Sequence, residues 1–280
     1  MSAIRASRLQ PGELGYPTRL EALGASAPVL HVTGTLHDSA PSVAIVGARA
    51  ADGAALRTAH QLAHHAGQRG VVVVSGGALG VDTAAHFGAL DAGAATTVVF
   101  GSGVDVVYPE RNRAMFAAVV STGGALVSMF PLGTLPLPGR FVARNRIIAA
   151  LADVVVVVSA GAHSGSLHTA RQAAALGRRL AAVPGSPGTH ALLTAGAALI
   201  ESPADLDRAL AGDPRQTQRP ALDADEARVW DALDPNVPRD AGDIALALGV
   251  GFARAASLLS DLEATGWTIA VPGACYVRAP

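Results

Sequence analysis

Five consecutive valines, Val154 to Val158, constrain this chain more than any other stretch. β-Branched side chains lose χ1 freedom in a helix and pack well on a pleated surface. A strand points alternate side chains to opposite faces. A five-valine strand therefore buries both faces, which requires a parallel sheet covered by helices on each side. The same grammar repeats along the chain. Ser42–Val46, Val71–Val74, Thr96–Phe100, Ala125–Ser128 and Leu180–Val183 read as further strands. Between them, Asp52–Arg69, Val81–Gly93, Arg111–Ser121, Arg140–Ala150 and Thr169–Leu176 read as helices. Strands alternating with helices predict an α/β doubly wound, mostly parallel sheet. Its strand-to-helix turns then share one edge, where such sheets bind ligands.

The organisation follows from where this rhythm starts and stops. Residues 1–38 form a lead-in with turn signals and one short strand around Leu30, and 39–212 form the sheet domain. Residues 213–222, polar and carrying Pro214 and Pro220, read as a linker. Residues 223–280 hold three short helices and a hairpin around Pro272-Gly273, the plan of a small C-terminal winged-helix domain. No apolar run approaches the ~20 residues of a bilayer span, and the N-terminus has no apolar signal segment. A single cysteine, Cys275, cannot form an internal disulfide. These features predict a cytoplasmic protein without a membrane partner.

The net charge of −1 conceals an asymmetry. The last 60 residues carry 4 Arg against 9 acids, and the rest carries 17 Arg against 13 acids. Every cationic side chain is Arg; there is no Lys. Arg offers a flat, five-donor fork suited to phosphates and to stacking. A winged helix that reads DNA should be basic. This acidic one is expected to contact protein partners instead.

Four turns carry the chemistry. Gly47-Ala48-Arg49 closes the first strand and places a cation at the binding edge. Ser75-Gly76-Gly77-Ala78-Leu79-Gly80-Val81-Asp82 joins the second strand to its helix. Its glycines can expose N–H groups to an anion, and Asp82 is placed to cap the helix. It is neither a dinucleotide fingerprint nor a P-loop. Gly101 to Pro109 follows the third strand. Ser164-Gly165-Ser166-Leu167-His168-Thr169 opens the helix after the five valines. The stretch Gly139-Arg140-Phe141-Val142-Ala143-Arg144-Asn145-Arg146 puts three Arg around an aromatic. Arg neutralises phosphates and an exposed Phe can stack on an unpaired base. No nucleophile elbow, carboxylate pair or metal-ligand spacing is evident, so no enzyme, cofactor or metal is expected.

In this order the motifs resemble those of the DprA/Smf family of DNA-processing proteins. They are Gly47-Ala48-Arg49, Ser75 to His86, Gly101 to Pro109, Phe141 to Ile148, Ser164 to Ala170, Gly177-Arg178 and Val183-Pro184-Gly185. The resemblance covers about residues 16–205. It implies an extended Rossmann-like fold that forms a homodimer and binds single-stranded DNA. It also implies delivery of incoming DNA to the RecA recombinase in natural transformation. On this resemblance Arg49, the turn Ser75, Gly76, Gly80 and Asp82, and the turn Ser164, Gly165 with Thr169 hold phosphates. Phe141 stacks on a base, and Arg144, Asn145 and Arg146 line the pocket. The chain departs from the family pattern at Met129, Ser159 and His190. Two other readings compete: a nucleotide hydrolase of the lysine-decarboxylase-like Rossmann group, or a nucleotide sensor. The hydrolase motif Pro-Gly-Gly-x-Gly-Thr-Glu is echoed only in part by Pro184 to His190, which lacks the acid.

Overall fold

The computed structural model describes residues 6–162, 164–214, 223–234, 237–264 and 267–278. The chain divides into two compact units, residues 1–217 and 218–280. Most of the expected linker, residues 215–222, lies outside the described residues.

In the first unit the elements run β1 (Ser7–Leu9), β2 (Leu30–Gly34), β3 (Ser42–Gly47), α1 (Gly53–Gln68), β4 (Val72–Ser75), α2 (Val81–Asp91) and β5 (Thr96–Phe100). They continue with α3 (Arg113–Ser121), β6 (Ala125–Ser128), α4 (Pro138–Leu151), β7 (Val154–Ser159), α5 (Ser166–Ala175), β8 (Arg179–Ala182), α6 (Pro187–Thr194), β9 (Ala198–Leu199) and α7 (Pro203–Ala211). One nine-stranded sheet results, in the order β1-β2-β6-β5-β4-β3-β7-β8-β9. Seven strands, β3 to β9, run parallel, while β2 is antiparallel to β6 and β1 to β2. This is the Rossmann-like doubly wound plan, extended outward by β6 and the two N-terminal strands.

The five-valine strand does what its composition requires. Val154, Val156 and Val158 enter the core under α1 and α2. Val155 and Val157 enter the core on the opposite face, with α4 and α5. None of the five exposes more than 3% of its surface. The same alternation splits β3, with Val43 and Ile45 on one side and Ala44 and Val46 on the other.

The lead-in is part of the first unit. Leu20, within a 3-10 segment at Thr18–Ser26, and Leu30 are fully buried in the α4/α5 core. Arg19 fastens this segment by donating to Asp153 at 2.9 Å and to the carbonyls of Asp38 and Ala40. Asp153 also accepts from the Ser42 amide at 2.8 Å. Burial raises the Asp153 pKa, but bonds from Arg19 and Ser42 outweigh it, leaving the carboxyl below its usual value.

Helices α1 and α2 cross closely because Gly88 has no side chain. A Cβ there would strike the carbonyl of His60 on α1 and approach Ala63 at 3.0 Å. Gly88→Ala must spread the two helices. It is expected to cost about 1–3 kcal/mol, measured by urea unfolding.

The second unit runs α8 (Ala224–Ala232), β10 (Arg239–Asp240), α9 (Ala241–Leu248), α10 (Phe252–Ala264), β11 (Thr268–Val271) and β12 (Cys275–Arg278). The hairpin β11–β12 gains a third strand, β10, giving the order β10-β12-β11. This helix–strand–helix–helix–hairpin arrangement is a winged helix. Val229, Trp230, Leu233, Ile244, Leu258, Leu259 and Leu262 form its core. Arg254, the one cation of α10, is bound by Asp225 at 2.9 Å. No single helix among the described residues is long and apolar enough to cross a membrane.

Candidate nucleic-acid interface

The loops after β3, β4, β5, β6 and β7 converge on a cleft of about 530 Å³ at the carboxyl edge of the sheet. Strand order reverses between β3 and β7, so the two turns leave in opposite directions and open a crevice between them. Arg49, Asp82, Tyr108, Phe141, Arg144, Asn145, Ser164, Gly165 and Thr169 all line it.

Phe141, in the first turn of α4, is half-buried, and its environment explains why. The Arg49 guanidinium lies 5.5 Å from its ring centroid, and Tyr108 packs at 5.4 Å with a 41° tilt. The ring leans on the backbone at Gly101, where a Cβ would fall 2.5 Å from it. Cation–π attraction of this kind is worth about 0.5–2 kcal/mol, more as water is excluded. Arg49 itself is exposed. The site thus presents a free cation and an aromatic ring side by side.

The start of α5 forms the facing wall. Asn145 reaches across from α4 and donates to the Gly165 carbonyl at 3.2 Å. Ser164 and Ser166 share a hydroxyl bond of 2.9 Å. No side chain caps the α5 N-terminus. The Leu167 and His168 amides close tight turns onto the Ser164 and Gly165 carbonyls at 3.1 Å, and the positive end of the helix dipole with the two serine hydroxyls still favours an anion.

The glycine turn after β4 departs from expectation. Asp82 is not the helix cap, a position held by Gly80 with φ +85°. A Cβ on Gly80 would collide with the carbonyls of Ala48 and Arg49, so that residue serves close packing of two turns. Asp82 instead reaches back to the turn and accepts from the amides of Gly76 (3.2 Å) and Ala78 (3.4 Å). Ser75 is fully buried and donates to the Ile45 carbonyl at 2.7 Å, away from the cleft. Asn112, which sequence reasoning did not single out, braces the turn by donating to Gly77 (3.0 Å) and Thr83 (2.8 Å).

The three Arg of α4 separate in role. Arg140 donates to the Leu135 carbonyl and lies 5.8 Å from the Phe130 ring. Arg144 is 4% exposed and donates to the carbonyls of Gly76 and Val99, so most of its charge serves the fold rather than the cleft mouth. Burial pushes its pKa down to about 10, with Asp82 opposing and Arg49 adding to the shift. Burial likewise raises the Asp82 carboxyl, against the pull of Arg144 and the turn amides. Arg146 does not line the cleft. It follows Arg144 by about 200° around the helix, and its charge acts on Tyr16 of the lead-in. Tyr108, an aromatic in the loop after β5, lines the cleft and was legible only as part of its motif.

Comparison with known proteins agrees with this architecture. A family model described as DNA recombination-mediator protein A matches residues 8–211. Protein Smf of Escherichia coli (strain K12) is 35% identical over 94% of this chain and 77% of its own length. The crystal structure of DNA processing protein A from Streptococcus pneumoniae superposes with a TM-score of 0.67. It is 33% identical over 77% of this chain and 76% of that one. A second structure, of DNA processing protein A from Helicobacter pylori, concerns the single-stranded DNA binding mode of that protein. It gives a TM-score of 0.67 at 30% identity, over 76% of this chain and 98% of that one. With the glycine turns, the Phe141 helix and the extended sheet all in their places, the chain belongs to the DNA recombination-mediator protein A family, that of the DprA/Smf DNA-processing proteins.

Proposed function

We propose that this protein binds single-stranded DNA in the cleft and acts as a recombination mediator by binding rather than by catalysis. The observation that carries the reading is the pairing of exposed Arg49 with Phe141 opposite the uncapped start of α5. A phosphate suits the guanidinium and the helix start, while an unpaired base can stack on the ring. A duplex keeps its bases stacked inside and offers none to Phe141, so single strands are preferred. The H. pylori relative, which binds single-stranded DNA, supports the same reading. Working as a cytoplasmic homodimer, the protein would shelter incoming strands and pass them to the RecA recombinase in natural transformation.

The test is a fluorescence-anisotropy titration of labelled single- and double-stranded oligonucleotides at several salt concentrations. Tight, salt-sensitive binding that prefers single strands is expected; equal or absent binding would sink the reading. Arg49→Ala should weaken binding and reduce the salt slope by about 1. Phe141→Ala should cost about 1–3 kcal/mol with little change in slope. Because the two side chains touch, the double variant should lose less than the sum of the singles.

A further inference from the structure

A Rossmann-like sheet has several seats for anions along its carboxyl edge, and here most are filled from within. The start of α1 is capped by Asp52, which accepts from the Ala55 amide at 2.8 Å. The turn after β3 has its Ala48 amide committed to the Ser159 carbonyl at 2.8 Å. The turn after β4 has two amides, of Gly76 and Ala78, committed to Asp82. On its other side the same turn is held by Arg144, which donates to the Gly76 carbonyl. A Cβ at Gly76 would lie 2.5 Å from Arg144 Nη1, so the guanidinium fits against a residue without a side chain. The carboxylate thus sits where a phosphate would sit, between inward-pointing amides and a cation. The exposed Arg49 remains open, and the α5 start beside it carries no side-chain cap, although its Leu167 and His168 amides turn back onto the Ser164 and Gly165 carbonyls.

We propose that Asp82 is a specificity-determining residue, a resident anion that closes the β4 turn to phosphate. The cleft therefore accepts isolated phosphodiesters at Arg49 and the α5 start, and rejects the adjacent phosphates of a nucleoside di- or triphosphate. A pyrophosphate needs two neighbouring seats within one cradle. Asp82 occupies the second seat and repels a second phosphate by its charge. This inference deepens the DNA-binding reading and rests on it for the identity of the preferred ligand. The closing of the β4 turn can be judged separately.

The experiment measures ADP binding to the full chain by isothermal calorimetry, for wild type, Asp82→Ser and Asp82→Asn. Oligonucleotide anisotropy is recorded in parallel. Wild type should bind the oligonucleotide but not ADP. Asp82→Ser, which frees the amides and leaves Arg144 beside them, should gain at least about tenfold in ADP affinity. Asp82→Asn keeps an oxygen for the amides and should gain less. A folded Asp82→Ser that gains no ADP affinity overturns the proposal. Should the variants fail to fold, ¹⁵N-labelled wild type decides: ADP that shifts the Gly76 and Ala78 amide resonances shows an open seat and overturns it, while unmoved resonances support it. Loss of oligonucleotide binding in wild type would count against the DNA reading alone, leaving the ADP contrast to judge Asp82.

Discussion

Arg144→Met should lower the unfolding free energy by about 3–5 kcal/mol, enough to leave a marginal domain largely unfolded at 37 °C. Three losses combine. The Gly76 and Val99 carbonyls lose their donor inside the protein. Asp82, buried 94% by surface, loses the cation that favours its charged form. The glycine turn loses the side chain that holds its outer face. Arg144 and Asp82 act on each other through charge rather than direct contact, and removing one of two buried opposite charges leaves the other desolvated and uncompensated. Combining Arg144→Met with Asp82→Asn should therefore recover part of the loss. Urea unfolding at pH 7 of the two single variants, the double variant and wild type provides the check. A loss under 1 kcal/mol for Arg144→Met would refute the clamp role.

The second large effect is acid sensitivity from His86. It is fully buried, and its Nδ1 meets the Thr96 hydroxyl at 2.9 Å. That hydroxyl already donates to the Val73 carbonyl at 2.7 Å, so Nδ1 carries the proton and donates. Nε2 has no partner among the described residues. Burial, with Arg144 adding to it, pushes the imidazole pKa down to about 3. Above the unfolded value near 6.5 both states are neutral and His86 confers no pH dependence. Below it the unfolded chain takes up a proton that the native state refuses. Stability then falls by about 1.4 kcal/mol per pH unit, approaching 5 kcal/mol near pH 3. Asp82 opposes this at the acid end: its raised pKa lets the native state gain a proton before the unfolded chain does. Asp153, held below its usual value, adds to the acid loss. The stability difference between wild type and His86→Gln isolates the histidine. That difference should move steadily in favour of the variant from pH 6.5 to pH 4.5, and a pH-independent difference would contradict the buried neutral form.

The sheet was legible because its strands are short, apolar runs punctuated by glycine. Thr96–Phe100 and Ala125–Ser128 were read to the residue. Pairing between distant segments was not. β1 is Ser-Arg-Leu and β10 is Arg-Asp, neither with a pattern of its own, and each exists through its neighbour. Helix α7 did announce itself locally. Ser202 and Asp205 form a capping box with Pro203 at the first position, a signal that was present and went unread.

At the cleft, the segments named from the sequence are brought together by the fold, but the direction of individual side chains was not legible. The i, i+4 relation of Arg140 and Arg144 says nothing about which of them meets the sheet. Helix α4 starts at Pro138 and lies on the sheet, carrying Arg144 inward and Arg140 to the loop. Asp82 was read as a cap because acids suit helix starts. Its reach back to Gly76 and Ala78 depends on the left-handed glycines at 77 and 80, which fold the turn over it.

β1 and β9 are the two outermost strands of the large sheet. β1 spans three residues and β9 only two. A long bare edge is a template on which another chain can add a strand, and proteins avoid aggregation by keeping edges short. This sheet tapers at both margins, so it offers little backbone for a neighbour to continue. Among the described residues, short margins of this kind disfavour open-ended strand addition from one copy to the next.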